Sequence, residues 1–301
     1  MMFKSLLPAL GMALSSAVFP AKGVVFYGLG NTSNTSDPGT GVPWSSVARV
    51  VKTDGSPAGS AVHLGVFYYT HPSIPSLSGW KSYLLTAHHV SSGKVSFDGS
   101  TFHDVLGAQQ VAANVDLKII RLDVALNSIP SVSLYAGTSD LSADSVLVGW
   151  GRGRSSQTGN TVVWGNDSTI AQRWGTTATL GSSVLVAYQS GSYVALETRL
   201  RSDAGDSEAG ATYFDSGGGL FQQHGGSWYL VGTTTSVETP GSSTFGTAAA
   251  DSDSNYFVRI SDYRGTIVSL LPIPEPHEIG AVASLALLGF AVWRRTKRQG
   301  T

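Results

Sequence analysis

The chain has 301 residues, of which 42% are hydrophobic and only 13% charged, with a formal net charge of -1. A chain this long and apolar buries a core, so global disorder is excluded, and so small a net charge argues against nucleic acid or an anionic membrane surface as the main partner. No cysteine is present, which excludes disulfides, cysteine nucleophiles and thiolate metal sites.

Residues 1–21 read as a secretory signal. Lys4 supplies the positive start and Leu6 to Phe19 the apolar stretch. Small residues at Ser15 and Ala17 permit cleavage after Ala17, with Ala21 as the alternative. The expected address is therefore outside the cytoplasm, in the cell envelope or beyond it. Residues 22–45, including Gly30-Asn31-Thr32-Ser33-Asn34-Thr35-Ser36-Asp37-Pro38, follow neither the strand nor the helix period. They predict an exposed leader.

From Val47 onward, short apolar runs recur between turn signals. Val47–Val51, Ala61–Tyr69, Tyr83–Thr86, Val95–Phe97, Leu117–Leu122, Ser145–Gly151, Ser183–Tyr188 and Trp228–Gly232 each read as a strand. Strands at this spacing predict an all-β sandwich or barrel. A helical period emerges near the end, with apolar positions 260, 263, 267, 270 and 271 on one face and Ser261 or Asp262 as N-cap.

Three segments carry chemistry. The run Asp215-Ser216-Gly217-Gly218-Gly219 exposes a serine hydroxyl in a turn that a substrate backbone can approach. Thr86-Ala87-His88-His89-Val90 supplies an imidazole base, and Asp116 heads the apolar run Leu117–Leu122. Histidine, aspartate and serine in this chain order are the order of one large class of hydrolases. Within the segments, His88 is the alternative base to His89, and Asp123 the alternative acid to Asp116.

These segments resemble the trypsin/chymotrypsin-like serine peptidases. Leu84-Leu85-Thr86-Ala87-His88-His89 is similar to that family's L-T-A-A-H-C box, which aligns the base with His89. Asp116 to Leu122 is similar to D-I-A-L-L-R-L. Val148-Gly149-Trp150-Gly151 resembles a G-W-G strand early in the second barrel, and Asp215 to Gly219 resembles G-D-S-G-G-P. Tyr256 to Leu271 is similar to the closing strand and terminal helix. The resemblance implies two antiparallel six-stranded β-barrels over residues 46–271, split near 135–140, with a C-terminal α-helix.

It also implies roles. His89 is the base, Asp116 orients it, and Ser216 is the nucleophile of an endopeptidase that acts on protein or peptide substrates without a cofactor or metal. Backbone N–H groups of Phe214 and Ser216 form the oxyanion hole. Gly210 lies near the floor of the primary specificity pocket, with Glu208 close by. Thr235 takes the place of a serine that steadies the acid and opens the substrate-binding strand. Two departures stand out: Phe214 replaces a glycine, and Gly219 replaces a proline. The first raises the alternative of a catalytically impaired domain that binds rather than cleaves.

The C-terminal residues 272–301 have three parts. Pro272-Ile273-Pro274-Glu275-Pro276 breaks regular structure, Ile279 to Trp293 is apolar, and Arg294, Arg295, Lys297 and Arg298 follow. Prolines lack the N–H that regular structure needs, and the basic cluster is expected on the cytoplasmic side. This tail resembles the PEP-CTERM sorting signal of bacteria. That implies an apolar membrane helix and an exosortase-type enzyme that acts at Pro274-Glu275-Pro276. The alternative is a plain single-pass anchor.

Overall fold

A computed structural model describes residues 24–26, 34–159, 161–201, 204–237, 244–246 and 253–272. The signal at 1–21, the Pro-Glu-Pro motif and the apolar segment from Ile279 to Trp293 lie outside these residues. Among the described residues, no helix is long and apolar enough to cross a membrane.

Six strands close into a barrel, in the order Val47–Val51, Pro57–Tyr69, Gly79–Thr86, Lys118–Leu122, His103–Gln110 and Lys94–Ser96, the last pairing back to the first. A second, seven-stranded antiparallel sheet follows. Its order is Arg173–Ala178, Asp144–Gly149, Gly219–His224, Ser227–Val237, Ser254–Arg259, Gly191–Arg199 and Val184–Tyr188. The two closed barrels expected from the sequence are thus one closed barrel and one open sheet. The edge strands Arg173–Ala178 and Val184–Tyr188 do not pair with each other. Thr161–Trp164 pairs with Arg154–Thr158 and Thr244–Gly246 in a separate three-stranded sheet.

The continuous apolar runs have a direct cause. Alternate residues of a strand point to opposite faces, and here both faces are buried. In the barrel, Ala48, Val50, Ala61, Leu84, Ile120 and Leu122 fill the interior. Their neighbours Val47, Val62, Leu85 and Ile119 face outward into a second core shared with Val148, Phe221, Leu230 and Val258 of the open sheet. Leu147, Leu220, Val231 and Phe257 point to the sheet's other face. The core between the two units therefore uses one side of nearly every strand.

The final strand, Ser254–Arg259, runs straight into the helix Ile260–Leu270. Ile260 and Ile267 are buried on the expected face. The N-cap is Arg259, with no side-chain cap. Ser261 and Asp262 fall inside the first turn, because the strand leaves no loop residue to cap the helix. Asp262 there is well placed for the helix dipole. The segment 22–45 is not wholly exposed: Val24, Phe26 and Val42 are buried, and Val25–Phe26 pairs with Ala209–Gly210.

Arg259 also grips Asp140, with Nε and Nη2 at 2.8 and 2.6 Å from its two carboxylate oxygens. The Asp140 side chain is completely buried. Arg259→Ala would strand that charge, and is expected to lower unfolding free energy by about 3 kcal/mol or more, read by chemical denaturation. A loss under about 1 kcal/mol would show that the pair does not secure the strand–helix junction.

Candidate active site

Register brings the histidine and the acid together. Thr86, last residue of its strand, pairs with Lys118, first residue of its own. Residues just after Thr86 and just before Lys118 therefore emerge at the same end of the barrel. The Ala87–Val90 turn, closed by Val90 N–H to Ala87 O, presents His89. Asp116 lies 27 positions along the chain, and its Oδ2 is 2.7 Å from His89 Nδ1. Its Oδ1 accepts the His89 backbone N–H at 3.0 Å. One buried carboxylate thus fixes both the backbone and the ring of His89, while the imidazole stays 43% exposed.

The alternatives go elsewhere. His88 Nδ1 meets the Tyr188 hydroxyl at 2.8 Å. Asp123 is exposed, and its carbonyl accepts Lys81 Nζ. His63 is buried against the Pro130 carbonyl, and His224 stacks on Tyr135.

Ser216 sits where two tight turns meet. Asp215 N–H bonds to Thr212 O, closing residues 212–215, and Gly218 N–H bonds to Asp215 O, closing 215–218. The third residue of each turn has positive φ: Phe214 at +74° and Gly217 at +88°. That is the pattern of type II turns, whose third position favours glycine. A bulky side chain held there costs about 1–2 kcal/mol. Phe214 therefore keeps the backbone conformation that a glycine would take.

The peptide planes on either side of this strain are pinned. Tyr213 O accepts Arg152 N–H at 3.0 Å, and Asp215 O accepts Gly218 N–H at 2.7 Å. In a trans peptide the N–H points opposite its carbonyl, so Phe214 N–H and Ser216 N–H face away from those bonds. Among the described residues, neither N–H has a hydrogen-bond partner.

Sequence reasoning missed the residue that holds this turn. Ser60, fully buried in the strand Pro57–Tyr69, donates its N–H to Ser216 O at 2.8 Å and its hydroxyl to Phe214 O at 2.9 Å. The same hydroxyl accepts Trp150 N–H at 2.9 Å, and Ser60 O accepts the Thr86 hydroxyl at 2.6 Å. Nothing in a serine amid small residues announces this. The only sequence signal is a polar residue inside a run that buries on both faces.

Asp215 is anchored from below. Its Oδ2 accepts Thr212 N–H at 2.8 Å. Gly149 and Gly151 of the G-W-G motif lie against its carboxylate, where a Cβ on either would collide with it. Burial pushes the Asp215 carboxyl up to about 7, an effect that hydrogen bonds from Thr212 and the charge of Arg173 oppose. Arg173 is itself fully buried, held by the carbonyls of Gly151, Ala171 and Thr169. Burial lowers its guanidinium to about 9, against the pull of Asp215.

The two residues expected to bind substrate part company. Thr235 lies beside Ser216, its carbonyl accepting the Ser216 hydroxyl at 3.3 Å. Its own hydroxyl turns to Tyr193 OH, 2.7 Å away, and to Tyr256 O, not to Asp116. Gly210 is buried and paired with Val25. Glu208 nearby is buried, with Arg201 Nε 3.4 Å away. No hydrogen bond joins His89 to Ser216 among the described residues. The serine turn nevertheless packs beside the histidine turn, because Ser216 O and the Val90 methyls both crowd Gly59.

No protein-family model matches the chain, and no curated protein matches it. Among solved structures, the chain is similar to Rv3671c from M. tuberculosis H37Rv, in the inactive form of a serine-to-alanine mutant. That match has a TM-score of 0.49 and 12% identity over 81% of this chain and 97% of that one. It is also similar to the Rv3671c protease in its inactive form, with a TM-score of 0.47 and 13% identity over 80% of this chain and 96% of that one.

Two measurements test these contacts. Ser60→Ala leaves Phe214 O and Trp150 N–H without their buried partner, and is expected to lower stability by about 1–3 kcal/mol in denaturant. An unchanged midpoint would remove Ser60 from this role. Asp215 gives a pH signature. Between its ordinary value of 3.8 and about 7, the folded state keeps a proton that the unfolded chain has released. This group's contribution to stability therefore falls as pH rises through that window, by up to about 1.4 kcal/mol per unit. The stability of the native chain relative to Asp215→Asn is expected to decline from pH 4 to 7. A constant difference would show that Asp215 ionises normally.

Proposed function

We propose that this protein is an exported serine endopeptidase that works through an acyl-enzyme. The observation that carries the reading is the buried Asp116 holding both the backbone and Nδ1 of an exposed His89. An imidazole held this way keeps its proton on Nδ1 and offers Nε2 as an acceptor. Ser216 would give its proton to His89 and attack a peptide carbonyl. His89 would then return that proton to the leaving amine. Atoms balance: the peptide C–N bond breaks as the ester to Ser216 forms, and water later hydrolyses that ester. The unpaired N–H groups of Phe214 and Ser216 are suited to the developing oxyanion, where each donor is typically worth about 3 kcal/mol.

The mechanism requires the Ser216 hydroxyl to leave Thr235 O and turn to His89; catalytic hydrogen bonds are often loose before substrate binds. Gly210 pairs through its backbone with Val25, and Arg201 faces Glu208, so among the described residues no unpaired acid is evident beside Gly210 to select a Lys or Arg side chain. The reading is a preference for small or apolar residues. Export rests on residues 1–21, and sorting by an exosortase-type enzyme, with membrane contact, rests on the C-terminal tail. Cell fractionation with and without that tail tests both.

A second reading, a binding domain with impaired catalysis, is favoured by the strain at Phe214. The decisive test is labelling by a fluorophosphonate. The purified protein is expected to be labelled, and Ser216→Ala and His89→Ala to be silent. Phe214→Gly is expected to keep or raise the labelling rate, since glycine adopts φ of +74° without strain. Phe214→Val is expected to lower it at least about ten-fold, since a β-branched residue resists that conformation. If only Phe214→Gly is labelled, the binding reading is correct.

A further inference from the structure

Phe214 stands where the resemblance implies a glycine, and its ring has a partner. The Arg152 guanidinium lies over it, with Cζ 5.3 Å from the ring centroid, and over the neighbouring Tyr213 ring at 5.0 Å. Both distances fall inside the roughly 6 Å reach of a cation–π contact. Trp164 meets Tyr213 edge to face, with centroids 5.0 Å apart. Tyr213 is exposed and Phe214 half-buried, so the stack stands at the surface beside the serine turn.

Arg152 is itself held. Its Nε and Nη2 lie 2.8 and 2.5 Å from Asp167 Oδ1. Asp167 opens the short 3-10 helix Asp167–Thr169. That loop is tied to the segment around Arg152, because Gly165 N–H bonds to Gly153 O and Gly153 N–H to the Thr169 hydroxyl at 3.0 Å. A planar guanidinium can fork to a carboxylate and stack on aromatic rings together, which an ammonium cannot.

The φ of +74° at Phe214 can relax in two ways. The peptide between Tyr213 and Phe214 can turn over, giving a type I turn open to any residue. That breaks the bond from Arg152 N–H to Tyr213 O and sets the Phe214 N–H against the Arg152 N–H. The other way swings the Cβ and ring of Phe214, which breaks the stack under the guanidinium. Either movement turns the Phe214 N–H away from the direction its oxyanion role requires. Arg152 opposes the first with its backbone and the second with its side chain. Its carbonyl also accepts the Thr212 hydroxyl at 2.7 Å, at the start of the same turn.

We propose that Arg152 is the positioning residue of the serine turn: braced by Asp167, its guanidinium holds the Phe214 ring and keeps this strained residue in the conformation that aims its N–H at the oxyanion. The effect on rate rests on the peptidase reading, while the effect on the turn does not. The departure from glycine is then matched by a second residue, since the ring that creates the strain is also the group by which the turn is held.

The test is a double-mutant cycle on the full chain with Arg152→Met, Phe214→Gly and the two combined. Methionine keeps the backbone N–H and most of the stem, and removes the planar charge. The kcat of Arg152→Met on a peptide substrate is expected to fall about ten-fold, the size of the strain released, with KM changed less than about two-fold. In the Phe214→Gly background the same substitution is expected to change kcat less than about two-fold, because glycine has neither strain to resist nor a ring to hold. An equal fall in both backgrounds overturns the proposal, since Arg152 would then act on the reaction by its charge alone. Melting temperatures give a readout that needs no turnover. Arg152→Met is expected to lower Tm by about 2–4 °C, and by no more than about half as much when Phe214→Gly is present. Additive shifts overturn the proposal whether or not the protein cleaves peptides. Coupled shifts in a protein that fluorophosphonate labels in neither background would retain Arg152 as a positioning residue and remove the peptidase reading.

Discussion

Ser60 uses every polar atom it has on the junction between barrel and sheet. Its N–H and hydroxyl hold the carbonyls of Ser216 and Phe214, its oxygen atoms take Trp150 N–H and the Thr86 hydroxyl, and none of it reaches solvent. Four segments distant in sequence are thereby tied at one point: the histidine-bearing strand, the G-W-G strand, the serine turn and the barrel strand of Ser60 itself. A buried polar group is strongly destabilising unless paired, and here full pairing makes the position specific. Any slip of one element against another would leave several of these groups unmatched at once.

The strained turn is tolerable because of what surrounds it. Phe214 at positive φ is disfavoured on its own, but the Ser60, Arg152 and Gly218 bonds fix the peptide planes around it. Below it, Asp215 is buried where Gly149 and Gly151 leave no space for side chains, with the Arg173 charge inside the same core.

Much of the fold was legible because most strands bury both faces. A run such as Leu117–Leu122 stands out as apolar, since one face fills the barrel and the other fills the core against the open sheet. Some strands without that double burial were missed, although Val184–Tyr188, which has no buried residue, was expected, and the buried strands Gly191–Arg199 and Gly219–His224 were missed as well. His103–Gln110 has no fully buried residue, and Arg173–Ala178 alternates buried and half-buried positions with polar residues on both. Closure of the second sheet was also expected wrongly. Which edge strand pairs with which is decided by backbone hydrogen bonds between distant segments, and side-chain pattern does not report it.

The sequence by itself determined the all-β class, the terminal helix and the local chemistry: a histidine pair at a strand end, an acid before an apolar run, a serine in a glycine-rich turn. These are local properties, set by turn residues and by hydrophobic period. Only the tertiary structure decided which histidine meets the acid, because the pairing of Thr86 with Lys118 is a matter of register. It alone turned Thr235 away from Asp116 and brought Tyr188 and His88 together. Thr235 meets strands of its own sheet, while His88 and Tyr188 come from the barrel and the open sheet; in both, direction and distance are set by packing and not by order along the chain.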